Sequence, residues 1–113
     1  MAGKNNNQNR YSLQRLCQQV AQTLNLVLSG EFGDERLQSL QVMSVDPAPN
    51  ASQLCVTVQT DEQCDRETKQ EILGCLSAVT GRLRHEVAGT INRKRTPQLF
   101  FRVINPPLFE RID

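Results

Sequence analysis

The chain has 113 residues, which is the size of one domain with a single modest core. Its 13 basic and 12 acidic residues leave a net charge of +1, so the net charge alone predicts no polyanionic partner. No window approaches the roughly 20 apolar residues of a membrane span, and the N-terminus lacks the apolar segment of a signal peptide. We therefore expect a cytoplasmic protein with no membrane partner.

The charges are distributed unevenly along the chain. Residues 31–71 hold nine acids against three bases, whereas residues 72–113 hold seven bases against three acids. Residues 1–30 add three bases and no acid. This asymmetry suggests a nucleic-acid-binding face in the basic part of the chain.

The cysteines and the single histidine give no sign of a metal site or of catalysis. No C-x-x-C pair occurs, and His85 stands in no zinc-ligand spacing. Cys17 falls on an apolar helical stripe and Cys75 beside one, so both are interpreted as small buried hydrophobic residues. The sequence has no phosphate-binding glycine-rich loop or paired-carboxylate motif, and we predict a non-enzymatic protein without cofactors.

The N-terminal third predicts an arm followed by a helix. Residues 1–9 are polar and without period, which predicts a disordered arm. The apolar residues from Tyr11 to Leu28 recur at helical spacing, and Gly30 is a suitable C-terminal stop. Residues 29–40 then form a connector.

Two strands and a turn occupy the middle of the chain. Residues 40–45 predict a strand with one irregular step, and the prolines and asparagine of DPAPNAS predict a hairpin loop. Apolar residues alternate with polar ones from Gln53 to Gln59, as in a half-buried strand. Asp61 or Asp65 is expected to cap the following helix.

The second long helix carries a regular apolar stripe and one interrupting glycine. Gly81 lies within the helical pattern, where glycine costs about 1 kcal/mol relative to alanine. It predicts a kink or the close approach of a phosphate or another helix. Arg82 and Arg84 flank the buried stripe and can present guanidinium groups to phosphate.

The last segment combines a basic loop with a strand. Arg93, Lys94 and Arg95 precede Thr96-Pro97, which forces an extended start to the strand QLFFRVI. Leu99 and Phe101 are predicted on one face and Phe100 on the other, where an aromatic side chain can stack RNA bases but is more often part of a core. Residues 106–113 are predicted to form a short C-terminal tail.

The order helix, strand, strand, interrupted helix, strand predicts an α+β domain over residues 10–105, with helices covering one face of a three-stranded sheet. Three stretches, LVLSGEFGDERL, VDPAPNASQLCVTV and GRLRHEVAGTINRKRTPQLFFRV, resemble the ribosome-binding factor A family over residues 8–104. Its Asp-x-Arg-Leu motif is matched by residues 34–37, and its final signature is partly matched by Lys94, Pro97, Leu99 and Phe101. The family's Ala-x-Gly kink is matched at Gly81, but Val79 takes the place of its alanine.

The resemblance implies a K homology fold of the second type and a bacterial ribosome biogenesis factor. Such a protein binds the free small (30S) ribosomal subunit and its rRNA, assists late maturation of 16S rRNA, and acts as a monomer. A GTPase or a ribosomal protein is implied as an additional partner during assembly. The alternative from the residues is a generic RNA-binding or protein-interaction module not tied to subunit assembly. The residues predicted to bind RNA are Arg10, Gly81, Arg82, Arg84, Arg93, Lys94 and Arg95.

Overall fold

A computed structural model describes residues 2–30, 32–48, 50–91 and 94–108, with side chains described from residue 12 onward. Three helices and three strands follow one another along the chain. They are α1 (Ala2–Gly30), α2 (Glu35–Gln38), β1 (Gln41–Pro47), β2 (Gln53–Gln59), α3 (Arg66–Thr90) and β3 (Gln98–Ile104). The predicted α+β class with a three-stranded sheet is confirmed, and α2 is an additional short helix within the predicted connector.

The sheet has the order β1-β2-β3. The hairpin strands β1 and β2 are antiparallel, whereas β2 and β3 are parallel. Because parallel neighbours need a long crossover, α3 carries the chain from the end of β2 back to the start of β3. The sequence left the strand order open, since local patterns do not show which strands pair.

The core lies between the helices and one face of the sheet. On β2, Leu54, Val56 and Val58 are completely buried, while the residues between them are half-buried. The apolar stripes of α1 and α3 cover this face, with Leu24 and Leu83 also fully buried. Apolar residues recur at every second position on the strand and about every 3.6 positions on the helices. These two periods explain why the sequence predicts these elements.

Local details of the first half follow from turn and cap chemistry. The irregular step in β1 is a register shift between Val42 and Ser44, which leaves Met43 outside the ladder. Asp34 caps α2 by accepting a hydrogen bond from the Arg36 backbone N–H at 2.9 Å.

α1 ends at Gly30 as expected but begins at Ala2, whereas the sequence predicts a disordered arm over residues 1–9. The predicted division into arm, domain and tail stays a prediction.

Asp65, one of the two residues expected to cap α3, does cap it. Its carboxylate accepts a hydrogen bond from the Thr68 N–H at 2.8 Å.

The predicted division of α3 at Gly81 is not present, because α3 is one helix from Arg66 to Thr90. A glycine costs a helix only about 1 kcal/mol. The buried residues Leu76 and Leu83 on either side of Gly81 hold the helix against the core.

Asn105 joins the end of β3 to the start of α3. Its side-chain amide donates to the Cys64 carbonyl and accepts from the Cys64 N–H, both at 3.0 Å. The Gln63 side chain adds a hydrogen bond to the Pro106 carbonyl at 2.7 Å. These contacts fix where β3 ends, and hence its register against β2.

All four cysteines have free thiols. Cys17 is buried, as predicted, and burial raises the pKa of its thiol. Cys75 packs against the core beside the apolar stripe, but it is half-buried and not buried as predicted.

Candidate nucleic-acid interface

An open cleft of about 760 Å³ lies where the β1–β2 hairpin turn, α3 and the start of β3 meet. We call it the basic cleft. Among its described lining residues, three are cationic and none is acidic. The lining residues are Ala51, Ser52, Gln53, Arg84, Lys94, Arg95, Thr96 and Gln98.

The hairpin turn supplies one wall of the basic cleft. Backbone hydrogen bonds close the turn, from Ala48 N–H to the Gln53 carbonyl at 2.7 Å and from Gln53 N–H to the Asn50 carbonyl at 3.1 Å. The Asn50 carboxamide oxygen also accepts from the Ser52 N–H at 3.0 Å, which is a common way for asparagine to stabilise a turn. The turn is therefore well defined and holds Ser52 at the edge of the cleft.

Pairing between β2 and β3 brings the second wall beside the turn. The Gln98 N–H donates to the Ser52 carbonyl at 2.9 Å, and Gln53 is aligned with Gln98 in the parallel ladder. Lys94 and Arg95 lie four and three residues before this first ladder position, with Thr96 and Pro97 between, and are exposed. The parallel arrangement thus places a basic loop next to a polar turn that is distant in sequence.

Arg84 reaches the basic cleft from α3 and supports its shape. Its Nε donates to the Pro97 carbonyl and its Nη2 to the Thr96 carbonyl, each at 3.0 Å. Pro97 is fully buried, so this fork anchors the chain just before β3. A guanidinium has five N–H donors, of which these two bonds use two. Arg84 is therefore both an anchor of the loop and a cation lining the cleft.

The electrostatic character of the basic cleft follows from its lining. Three cations face one concave surface, and the acids nearest in sequence are not among the eight lining residues. A cleft lined by one sign of charge focuses the field and attracts the opposite charge. Hydroxyl and amide groups from Ser52, Gln53 and Gln98 add neutral hydrogen-bonding groups. This set of groups suits a polyanion with phosphate oxygens.

The structure brings together three of the residues that the sequence predicts to bind RNA: Arg84, Lys94 and Arg95. Gly81 lies one helical turn before Arg84 and is exposed, but it does not line the cleft. Arg82 is exposed and its Nε lies 3.7 Å from a carboxylate oxygen of Glu86. The side chain of Arg10 and the whole of Arg93 lie outside the described residues.

Within the part of the chain that the structure describes, Gly81 has no steric reason to be glycine. Apart from its own stretch of helix backbone, a Cβ atom placed there would meet no heavy atom within 4 Å, and its backbone φ is not in the left-handed region. Gly74, one of the other glycines in α3, is equally open. If Gly81 serves the close approach of another molecule, that molecule approaches from solvent.

Sequence reasoning missed the contribution of Ser52, Gln53 and Gln98. Only the pairing of β2 with β3 places these residues beside the basic loop, and local sequence patterns do not show that pairing. His85, the one histidine of the chain, is exposed on α3. None of the helices in the described part of the chain has the length and apolar character that crossing a bilayer requires.

Comparison with known proteins agrees with the geometry. The family model for ribosome-binding factor A matches residues 12–103. Ribosome-binding factor A from Koribacter versatilis (strain Ellin345) is 31% identical over 94 residues, covering 83% of this chain and 75% of that protein. The crystal structure of ribosome-binding factor A from Thermus thermophilus is similar with a TM-score of 0.67 and 25% identity, covering 80% of this chain and 94% of that one. From its sequence and its fold, the chain belongs to the ribosome-binding factor A family.

Proposed function

We propose that this protein binds the free small ribosomal subunit through its 16S rRNA and assists the late maturation of that rRNA. Family membership supports a role at the ribosome, since the relatives from Koribacter and Thermus are named as ribosome-binding factors. The observation that carries the RNA contact is the basic cleft, in which Arg84, Lys94 and Arg95 meet without a lining acid.

Phosphate contacts explain both affinity and its dependence on salt. Lysine and arginine side chains that neutralise phosphates release condensed counterions, so affinity falls as salt rises. Lys94 and Arg95 are exposed and can reach phosphates with little cost to the fold. Arg84 is held by two carbonyls, and its fixed guanidinium can position a phosphate with little loss of side-chain entropy. No base-specific contact is required, because double-stranded RNA is recognised largely by shape and backbone.

Arg82 and Gly81 extend the proposed RNA surface along α3. Gly81 is on nearly the same side of the helix as Arg84, three residues away, and both Gly81 and Arg82 are exposed. We propose that the RNA backbone passes over this turn of α3. The predicted contacts of Arg10 and Arg93 are part of the same proposal.

The first experiment is co-sedimentation with free small subunits, free large subunits and joined ribosomes over a salt series. We expect selective, salt-sensitive pelleting with free small subunits. The double variant Lys94→Glu/Arg95→Glu should abolish this pelleting. The matched control is Arg66→Glu/Lys69→Glu, which changes the net charge equally but at the start of α3, away from the cleft.

Equal loss in both double variants would show that only overall charge matters and would contradict a specific site. Binding that persists at high salt would instead support a protein-interaction module that is not tied to subunit assembly. The maturation role is tested separately in cells lacking this protein. Precursor 16S rRNA should accumulate there, and the wild-type chain should reverse the accumulation where the Lys94→Glu/Arg95→Glu variant does not.

A further inference from the structure

The face of the sheet turned away from the helices is not covered by any described part of the chain. We call it the outer sheet face. On β2 and β3 its residues form four cross-strand rows, because equal positions of the two strands are aligned. The rows are Gln53–Gln98, Cys55–Phe100, Thr57–Arg102 and Gln59–Ile104.

Phe100 is unusual on this face. Its neighbours along β3, Leu99 and Phe101, belong to or pack against the core, whereas Phe100 is 48% exposed. The rows on either side of it contain the polar or charged side chains of Gln98, Thr57 and Arg102. Phe100 is the one exposed large apolar side chain on β2 and β3, and together with the exposed Met43 on β1 it does not make the extended apolar patch typical of a protein-binding surface.

The outer sheet face is continuous with the basic cleft. Gln53 and Gln98 line the cleft and also form the first row of the face. Phe100 follows Gln98 by two residues on the same side of β3, which is about 6.6 Å along the strand. Arg102 follows after the same distance. A chain leaving the cleft along β3 therefore meets a ring and then a cation.

We propose that the outer sheet face binds a single-stranded RNA segment that continues from the basic cleft, with one base stacked on Phe100 and a phosphate near Arg102. The inference rests on the proposed function of the cleft. Aromatic side chains on a sheet are effective stacking platforms because every base has a flat π-face, and neighbouring cations neutralise the backbone.

The charges across the sheet indicate which side the phosphates follow. Asp46 is aligned with Cys55 on β1 and is exposed. It is two strands from Phe100, which is about 10 Å by ordinary strand spacing. Its carboxylate disfavours phosphates over β1, whereas Arg102 favours them over β3. The backbone then follows β3, with the stacked base over Phe100.

The test compares a short fluorescein-labelled oligouridine with a labelled, blunt-ended, fully paired RNA duplex by fluorescence anisotropy. Phe100→Ala should weaken binding of the oligouridine about tenfold or more, because base–aromatic stacking is lost, and should leave the affinity for the duplex unchanged. Leu26→Ala is the matched control, since Leu26 is an exposed apolar residue on α1. Its affinity for both RNAs should equal that of the wild type.

A second variant reports stacking directly and is insensitive to small losses of stability. The chain contains no tryptophan, so Phe100→Trp introduces a single tryptophan at the proposed stacking position, which can be excited apart from the one tyrosine. Oligouridine should quench its emission at saturation, whereas in Leu26→Trp the emission should stay constant. Quenching in neither variant would overturn the proposal.

The cleft and the sheet face are distinguished by pairing the two sets of variants. Lys94→Glu/Arg95→Glu should weaken binding of both RNAs, and failure of that result would count against the cleft itself. If Lys94→Glu/Arg95→Glu weakens binding of both RNAs but Phe100→Ala binds oligouridine like the wild type, the stacking proposal is wrong. The proposal that the basic cleft binds RNA is then still supported. A Phe100→Ala variant that keeps RNA affinity but loses binding to ribosomal proteins would replace RNA by protein as the occupant of the face.

Discussion

Arg84 shows how one side chain can serve both the fold and the proposed RNA contact. It lines the basic cleft, yet its guanidinium donates to the carbonyls of Thr96 and Pro97 at 3.0 Å. Lys94 and Arg95 are exposed in the loop and have no comparable anchoring role in the hydrogen bonds described above. Substituting Arg84 therefore changes the shape of the cleft, whereas substituting Lys94 or Arg95 changes mainly its charge.

We expect Arg84→Met to lower the free energy of unfolding by about 1–3 kcal/mol, because the carbonyls of half-buried Thr96 and buried Pro97 lose a charged donor. Methionine keeps much of the apolar stem, so lost packing contributes little. Urea denaturation measures the change, and Arg95→Met should stay within about 0.5 kcal/mol of the wild type. Equal stability of the Arg84 variant and the wild type would show that the fork contributes nothing to the fold.

Gly81 provides a second test at the level of one residue. Gly81→Ala should raise the free energy of unfolding by about 0.4–1 kcal/mol, because alanine favours the helix and its Cβ would meet no atom within 4 Å. Gly74→Ala is the matched control in the same helix and should stabilise by a similar amount.

The RNA affinities of the two alanine variants then distinguish Gly81 from Gly74. If RNA passes over α3 at Gly81, only Gly81→Ala should weaken binding, since the added methyl group keeps the phosphate backbone away. Two alanine variants with wild-type affinity would remove Gly81 from the proposed surface and leave its helix position without a functional reason.

Among the elements, those with strong hydrophobic periodicity were predictable from sequence. Leu16, Val20 and Leu24 are buried on α1 as their helical spacing predicts, and the alternation of β2 buries Leu54, Val56 and Val58. Gly81 misled the prediction of α3, because propensity at one position is weaker than packing of the helix on both sides. The sequence does not indicate that α1 begins at Ala2, since residues 2–10 lack the apolar period that marks a packed helix.

The candidate site was predictable only where its residues are close in sequence. Lys94 and Arg95 stood out as a cluster, and Arg84 stood out on the border of the helical stripe. Ser52 and Gln98 did not, because their contact depends on a parallel strand pair separated by the whole of α3. Alternation placed Phe100 on the face opposite Leu99 and Phe101, but the expectation that such a phenylalanine belongs to a core was wrong, because Phe100 is 48% exposed.

The caps of α2 and α3 predict how stability depends on pH. The backbone N–H of Thr68 lowers the pKa of Asp65, and a hydrogen bond from the Arg36 side chain lowers that of Asp34. Each carboxylate is favoured in the folded state. It therefore stabilises the fold above the unfolded pKa of about 3.9, and this contribution is lost as pH falls through the lower, folded value.

We expect Asp65→Asn to flatten the acid limb of the stability profile, because asparagine still accepts from the Thr68 N–H but does not titrate. Asp34→Asn/Asp65→Asn should be flatter than either single variant. Urea denaturation from pH 5 towards strong acid measures the slopes. An unchanged slope in Asp65→Asn would mean that other groups govern the acid dependence.

At the scale of the whole molecule, the basic cleft belongs to a chain whose acids and bases are separated. Residues 31–71 hold most of the acids, whereas the loop before β3 is basic. Such a charge dipole orients the protein as it approaches a polyanion. It also predicts that affinity for RNA depends on salt through a few cations rather than through net charge.

The measurement is the slope of the logarithm of the RNA association constant against the logarithm of salt concentration. Lys94→Gln/Arg95→Gln should reduce its magnitude by about 2, since each lost phosphate contact reduces it by about 1. Arg66→Gln/Lys69→Gln removes the same charge at the start of α3 and should leave the slope unchanged. Equal slopes in the two double variants would indicate long-range attraction without local contacts.

The parallel pairing of β2 and β3 also determines when the two walls of the cleft can form during folding. The hairpin turn with Ser52 can form early, because its contacts are local, but the other wall of the cleft requires α3 to cross the sheet and β3 to dock. Until Gln98 pairs beside Ser52, Lys94 and Arg95 belong to a chain without a cleft. The cleft proposed to hold RNA therefore needs the completed pairing of β2 with β3, and a chain in which β3 has not docked lacks one of its walls.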